Sequence, residues 1–226
     1  MSGGLYTQLL DLACGAFLLA AVIVLWMREL AAIVRVFALQ GVALAAIAVL
    51  LGAHEQRWDL VAVGLGIGAL RAGVLPYLMR RALTALAADR AHSEEARETQ
   101  PLINVAASLL TAALLTLLAY AVARPLTELH PTPATRALPV GLAVVLIGFF
   151  VLVTRRRALA QVVGFLLLDN GITATAFLAT SGVPLIVELG VSFDVLLAVL
   201  VLQILTTRVR ETFGTTDIDD LRELHD

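Results

Sequence analysis

The stretch LAQVVGFLLLDNGITATAFLAT, Leu159 to Thr180, is apolar almost throughout and carries a carboxylate, Asp169, in its middle. A hydrocarbon core of about 30 Å requires a helix of about 20 such residues, so this run has the length of a membrane span. It leads through Thr180-Ser181-Gly182-Val183-Pro184 into a second apolar run that ends near Thr207. Gly182 supplies backbone angles that other residues avoid, and Pro184 suits the first position of a helix. The two runs together predict an antiparallel transmembrane hairpin.

The same template fits five more times toward the N-terminus. The expected spans run roughly Leu5 to Met27, Ala31 to Leu51, Trp58 to Met79, Leu102 to Ala123, Ala137 to Val153, Leu159 to Thr180 and Pro184 to Thr207. Alternation at period two over ~10-residue segments is absent, which argues against a membrane barrel. The fold class expected is therefore all-α: a polytopic membrane helix bundle of seven transmembrane helices. Composition agrees, since the 226 residues are 60% hydrophobic and only 15% charged, with a mean hydropathy of +0.92. A soluble exterior would need charge scattered over the whole chain. The N-terminus has no basic segment before its first apolar run, so neither a cleaved signal nor a lipid anchor is expected.

All sixteen basic residues are arginine, and their placement orients the bundle. With the N-terminus outside, the cytoplasmic segments hold Arg28, Arg35, Arg80, Arg81, Arg90, Arg97, Arg155, Arg156, Arg157, Arg208, Arg210 and Arg222. The exterior then holds Arg57, Arg124 and Arg136. The positive-inside rule selects N-out, C-in. The organisation read from this is a four-helix front membrane part at 1–124, an exterior Pro-rich irregular loop at 125–136, a three-helix back part at 137–211 and a cytoplasmic acidic tail at 212–226. The cytoplasmic stretch Arg80 to Gln100 mixes arginines with Asp89, Glu94, Glu95 and Glu98 at helical spacing, as a solvated helix extension would.

The residue counts exclude several chemistries. One cysteine, Cys14, allows no cysteine-held cluster and no intrachain disulfide, and a chain without lysine forms no Schiff base. His54, His92, His130 and His225 are read as lying in loops and the tail, too far apart in sequence to suggest a metal site. No cofactor, metal or catalytic residue is expected on this chain. Gly64-Leu65-Gly66-Ile67-Gly68 has the glycine spacing of a dinucleotide fingerprint but lies inside a span with no strand before it. Gly64 and Gly68 are better read as a small-residue face for close helix contact. Asn104, Ser108 and Thr111 form a polar stripe suited to hydrogen bonding between helices.

Four charges fall where charge is expensive: Arg71, Asp169, Glu188 and Asp194. An ionised side chain at mid-bilayer costs about 2.5–3.5 kcal/mol on insertion scales, so each marks a functional site or a paired structural one. Asp169 and Asp194 stand ~18–20 Å from the Gly182 turn on the two arms of the hairpin, at one depth near mid-membrane. Helix axes ~8–10 Å apart bring such carboxylates within coupling range when both face the same side, a facing the sequence leaves open. Glu188 lies about one turn inside the exterior end, as an uptake site or an interfacial carboxylate. On span three, Pro76 lacks the amide that would bond the carbonyl of Ala72, leaving a free acceptor and a kink beside Arg71. Two readings stand side by side: a buried Arg71–Asp169 pair that fixes packing, or a proton pathway in which desolvation and a nearby cation poise a carboxylate to exchange a proton.

Three segments carry a family resemblance. They are Val163-Gly164-Phe165-Leu166-Leu167-Leu168-Asp169-Asn170-Gly171, Pro184 through Asp194 (PLIVELGVSFD), and Thr212-Phe213-Gly214-Thr215-Thr216-Asp217 followed by Leu221 and Leu224. With Arg71 and Leu75-Pro76 on span three, they resemble the hydrogenase-4 component E family, and the back part is similar to the K-type subunit of respiratory complex I. The resemblance implies a non-catalytic membrane-arm subunit of a redox-driven complex, such as a group 4 hydrogenase or formate hydrogenlyase-type assembly. Its implied partners are antiporter-like membrane subunits and hydrogenase or complex-I-like subunits, in a bacterial or archaeal plasma membrane. It also implies that the carboxylates of spans six and seven belong to a proton translocation pathway. The family typically carries Glu at the position of Asp169 and often Lys at that of Arg71. Arginine does not deprotonate in proteins, so Arg71 would tune its neighbours rather than carry a proton. A structural membrane anchor of the same complex, or an accessory subunit of a cation/proton antiporter, are the alternatives.

Overall fold

A computed structural model describes residues 3–27, 29–88, 104–154 and 158–180. Among these residues every regular element is helical: α1 (Gly3–Trp26), α2 (Leu30–His54), α3 (Trp58–Ile67), a π-helical segment (Gly68–Val74), α4 (Leu75–Ala88), α5 (Val105–Leu129), α6 (Pro133–Thr154) and α7 (Ala158–Thr180). The π segment continues α3 into α4 as one rod, so six helices among the described residues are long and apolar enough to cross a membrane. The chain is a multi-pass membrane protein in its described part. The seventh expected span, Pro184 to Thr207, lies outside the described residues, as do Arg28, Arg155 to Arg157 and the tail.

α2 sits at the centre. It packs against α1, the α3–π–α4 rod and α7, while α6 packs against α7, α5 and α1. Two helix pairs owe their closeness to glycine. Along α2 and the rod, a Cβ on Gly52 would lie 2.8 Å from Val61 N, one on Gly64 3.0 Å from Ala48 Cβ, one on Gly68 3.0 Å from Ala45 Cβ, and one on Gly41 2.9 Å from both Arg71 C and Ala72 N. The expected small-residue role of Gly64 and Gly68 is thus observed. Along α6 and α7, Gly141 faces Thr175, Gly171 faces Val145, Gly148 faces Leu168 and Gly164 faces Leu152, in one antiparallel register with main chains in contact. Apolar side chains alone give no hydrophobic drive to associate within lipid, and such close backbone approach supplies the packing instead.

The stretch 125–136, expected to be an exterior irregular loop, is mostly helix. α5 continues through Pro125 to Leu129 and α6 begins at Pro133, leaving a connector of His130, Pro131 and Thr132. Proline is well placed at the first helical position because the missing amide would have had no partner there. The α6 start is further closed by reciprocal bonds, Thr135 N to Thr132 Oγ1 at 3.1 Å and Thr132 N to Thr135 Oγ1 at 2.9 Å. The same capping logic breaks up the expected polar stripe on span four. Asn104 caps α5 by accepting from Ala106 N at 3.4 Å, and Thr111 donates to Ala107 O of its own helix, leaving Ser108 as its buried member. His54 is likewise not in a loop: it ends α2 and stacks on Tyr6, ring centroids 3.8 Å apart.

Candidate functional site: a buried polar layer at mid-span

Arg71 sits inside the π segment, and the local sequence explains why. Pro76 has no amide to offer Ala72 O, and the chain widens by one residue so that Leu75 N reaches Leu70 O, five positions back. The kink expected beside Pro76 is therefore a seven-residue π-helical widening, Gly68–Val74. Gly41 of α2 lies flat against the main chain of Arg71 and Ala72 at this point, which brings the preceding residue, Gln40, into the same layer.

The Arg71 side chain is 1% exposed and reaches α7 with both ends of its guanidinium. Nη2 lies 2.7 Å from Asp169 Oδ2, and Nη1 donates to Asn170 Oδ1 at 2.6 Å. Asn170 Nδ2 in turn donates to Gln40 Oε1 at 2.9 Å. Gln40 Nε2 points to the main-chain carbonyl of Phe17 on α1 across a long 3.5 Å. Gln40 and Asn170 are 0% and 1% exposed, and Asp169 is 7% exposed. One layer of polar groups thus joins α1, α2, the π segment and α7. Asp169 stands midway along α7, about 16 Å from either end at 1.5 Å rise per residue. The layer is bracketed on the α6 side by the Gly148–Leu168 and Gly171–Val145 contacts.

Of the four charges singled out from sequence, Arg71 and Asp169 come together as an ion pair. Asp194 and Glu188 lie outside the described residues. Gln40 was missed by sequence reasoning and Asn170 entered it only within a resembling segment. The signal that finds both is depth: each is an amide at the height of Arg71 in a run that is otherwise apolar. Among the described residues no group of three histidine, cysteine, aspartate or glutamate side chains is placed to hold a metal.

Comparison with known proteins gives one relative along the full length. Uncharacterized protein Rv0085 of Mycobacterium tuberculosis is 52% identical over 226 residues, covering 100% of both chains. The chain belongs to the same family as this mycobacterial protein. Three further relatives share about half of the chain. Hydrogenase-4 component E of Escherichia coli K12, of Escherichia coli O157:H7 and of Shigella flexneri are each 34% identical over 115 residues, which is 51% of this chain and 53% of theirs. The resemblance to hydrogenase-4 component E thus holds at the level of a partial relationship. No family model matches the chain, and no solved structure does.

Proposed function

We propose that the chain is a non-catalytic membrane-arm subunit of a redox-driven complex of the hydrogenase or complex-I-related kind, and that Asp169 belongs to its proton translocation pathway. The observation that carries this is the Arg71–Asp169 pair, a carboxylate and a cation 2.7 Å apart at mid-span among helices made of Ala, Leu, Val and Phe. Ionisable groups are costly at that depth and mark proton or ion paths when they line a bundle interior. The partial relationship to hydrogenase-4 component E supplies the kind of complex. In this reading Arg71 stays charged and holds the carboxylate's environment, while Asp169 exchanges the proton. Asp194, at matching depth on the expected partner arm, is the next group along the path, and Glu188 feeds it from the exterior side. The neighbours are antiporter-like and hydrogenase or complex-I-like subunits of a prokaryotic plasma membrane, with this chain inserted N-out, C-in.

The test has two stages. The tagged chain, extracted gently from native membrane, should carry nickel-iron hydrogenase or complex-I-like subunits and antiporter-like subunits in stoichiometric amount by mass spectrometry. Asp169→Asn and Asp194→Asn should then abolish proton translocation by the assembled complex in vesicles. Undiminished translocation in both variants overturns the pathway.

A second reading is favoured by one observation: both ends of the guanidinium are engaged on α7, as in an ion pair that locks packing. It expects the same substitutions to reduce assembly of the complex rather than translocation per assembled complex. Antiporter-like subunits purified alone with the chain, and sodium-dependent transport without hydrogen or quinone turnover, would move it to a cation/proton antiporter.

A further inference from the structure

The donors and acceptors of the buried layer have a single sense. Arginine carries donors and no acceptor, so Asn170 must turn its oxygen to Arg71 and its nitrogen to Gln40. Gln40 must then present its oxygen to Asn170 and its nitrogen to Phe17 O, which only accepts. The orientation of both amides is therefore fixed by the two ends of the chain. Each amide directs its carbonyl oxygen back toward the guanidinium, as ordered waters would around a solvated cation.

We propose that Asn170 and Gln40 are positioning residues that hold the Arg71 guanidinium in place independently of Asp169, so that the carboxylate can be neutralised without displacing the buried cation. Removing one member of a buried ion pair is ordinarily strongly destabilising because the other charge is left uncompensated. Here the cation keeps a charge-assisted bond from Nη1 to Asn170 Oδ1 whatever the state of Asp169. Asn170 cannot flip its amide to break that bond, because its nitrogen is held by Gln40 on α2. Gln40 is in turn placed by Gly41, whose contact with the Arg71 main chain fixes the distance between α2 and the π segment. Arg71 is the charged side chain paired with Asp169 among the described residues. The other buried polar groups there are Asn170, Gln40, Thr173 and Ser108, none of which titrates in the ordinary range. The inference deepens the reading of Asp169 as an exchanging carboxylate and rests on it for its use, although its geometry stands alone.

The experiment uses the full chain, isotope-labelled at arginine nitrogen, in membrane vesicles, with Arg71 assigned by Arg71→Leu. In Asp169→Asn the Nη1 resonance should keep its wild-type position while Nη2 moves. In Gln40→Leu, with Asp169 intact, Nη1 should move instead, and Gln40→Glu, which retains the acceptor facing Asn170, should return it. Accumulation of Asp169→Asn in the membrane should stay near wild type, and the Asp169→Asn/Gln40→Leu double variant should fall about tenfold below it, the loss expected from one hydrogen bond to a charged group. Nη1 and Nη2 moving together in Asp169→Asn overturns the proposal. So does Asp169→Asn accumulating no better than the double variant, or Gln40→Glu behaving as Gln40→Leu. None of these readouts needs partner subunits. A retained Nη1 signal with undiminished translocation in Asp169→Asn would remove the proton pathway and leave the clamp standing.

Discussion

Arg71 and Asp169 were both visible in the sequence because a full charge inside an apolar run is costly enough to need a reason. Their pairing was one of two open outcomes, since counting residues fixes depth and not the facing of a side chain. Gln40 shows the limit from the other side. An uncharged amide among Phe37, Leu39 and Val42 brings no charge that demands a counter-charge, and its depth acquires meaning once Gly41 is seen against the Arg71 main chain. The pair has a direct energetic test. Arg71→Leu leaves Asp169 buried without its cation and is expected to cost about 3–5 kcal/mol in reversible unfolding from mixed micelles. Arg71→Leu combined with Asp169→Leu should recover part of that loss, because no buried charge is then left without its counter-charge, although Asn170 Oδ1 loses its donor. A double variant as unstable as the sum of the singles would show that the two do not interact.

At the scale of the helices, apolar length was enough to place six of them, and the error came from proline. Pro125, Pro131 and Pro133 read together as a loop, yet the first lies within a helix and the last opens one. What the composition hid was the spacing Thr132-Pro133-Ala134-Thr135, a helix start with its own cap. Thr132→Ala should therefore destabilise by about 1 kcal/mol, the usual cost of a lost cap, as measured by the same micellar unfolding. Glycine behaves as a graded probe of helix contact. A Cβ at Gly148 would overlap the Leu168 main chain, and a Cβ at Gly66 would meet nothing within 4 Å. Gly148→Ala is expected to cost about 1–3 kcal/mol, while Gly66→Ala should stay within about 0.5 kcal/mol of wild type. Equal effects at the two positions would mean that α6 and α7 are not in main-chain contact.

For the whole molecule, the arrangement of connectors gives alternating ends. Glu29 and Thr154 belong to one face, and Glu55 and His130 to the other, because each helix between them crosses the bundle once. On the proposed N-out, C-in orientation the first face is the cytoplasmic one. In a Cys14→Ser background, Glu55→Cys and His130→Cys should react with an impermeant thiol reagent added to intact cells. Glu29→Cys should react only after the membrane is opened. Labelling of Glu29→Cys from outside would invert the proposed orientation.

The four glycine contacts between α6 and α7 have a hydraulic meaning. Gly148 against Leu168 and Gly164 against Leu152 lie on one side of Asp169, and Gly171 against Val145 and Gly141 against Thr175 lie on the other. Main chain approaching main chain on both sides closes this joint at those four levels, as a weld closes a seam. A water path to Asp169 is therefore expected along another flank of α7 rather than through the joint between α6 and α7.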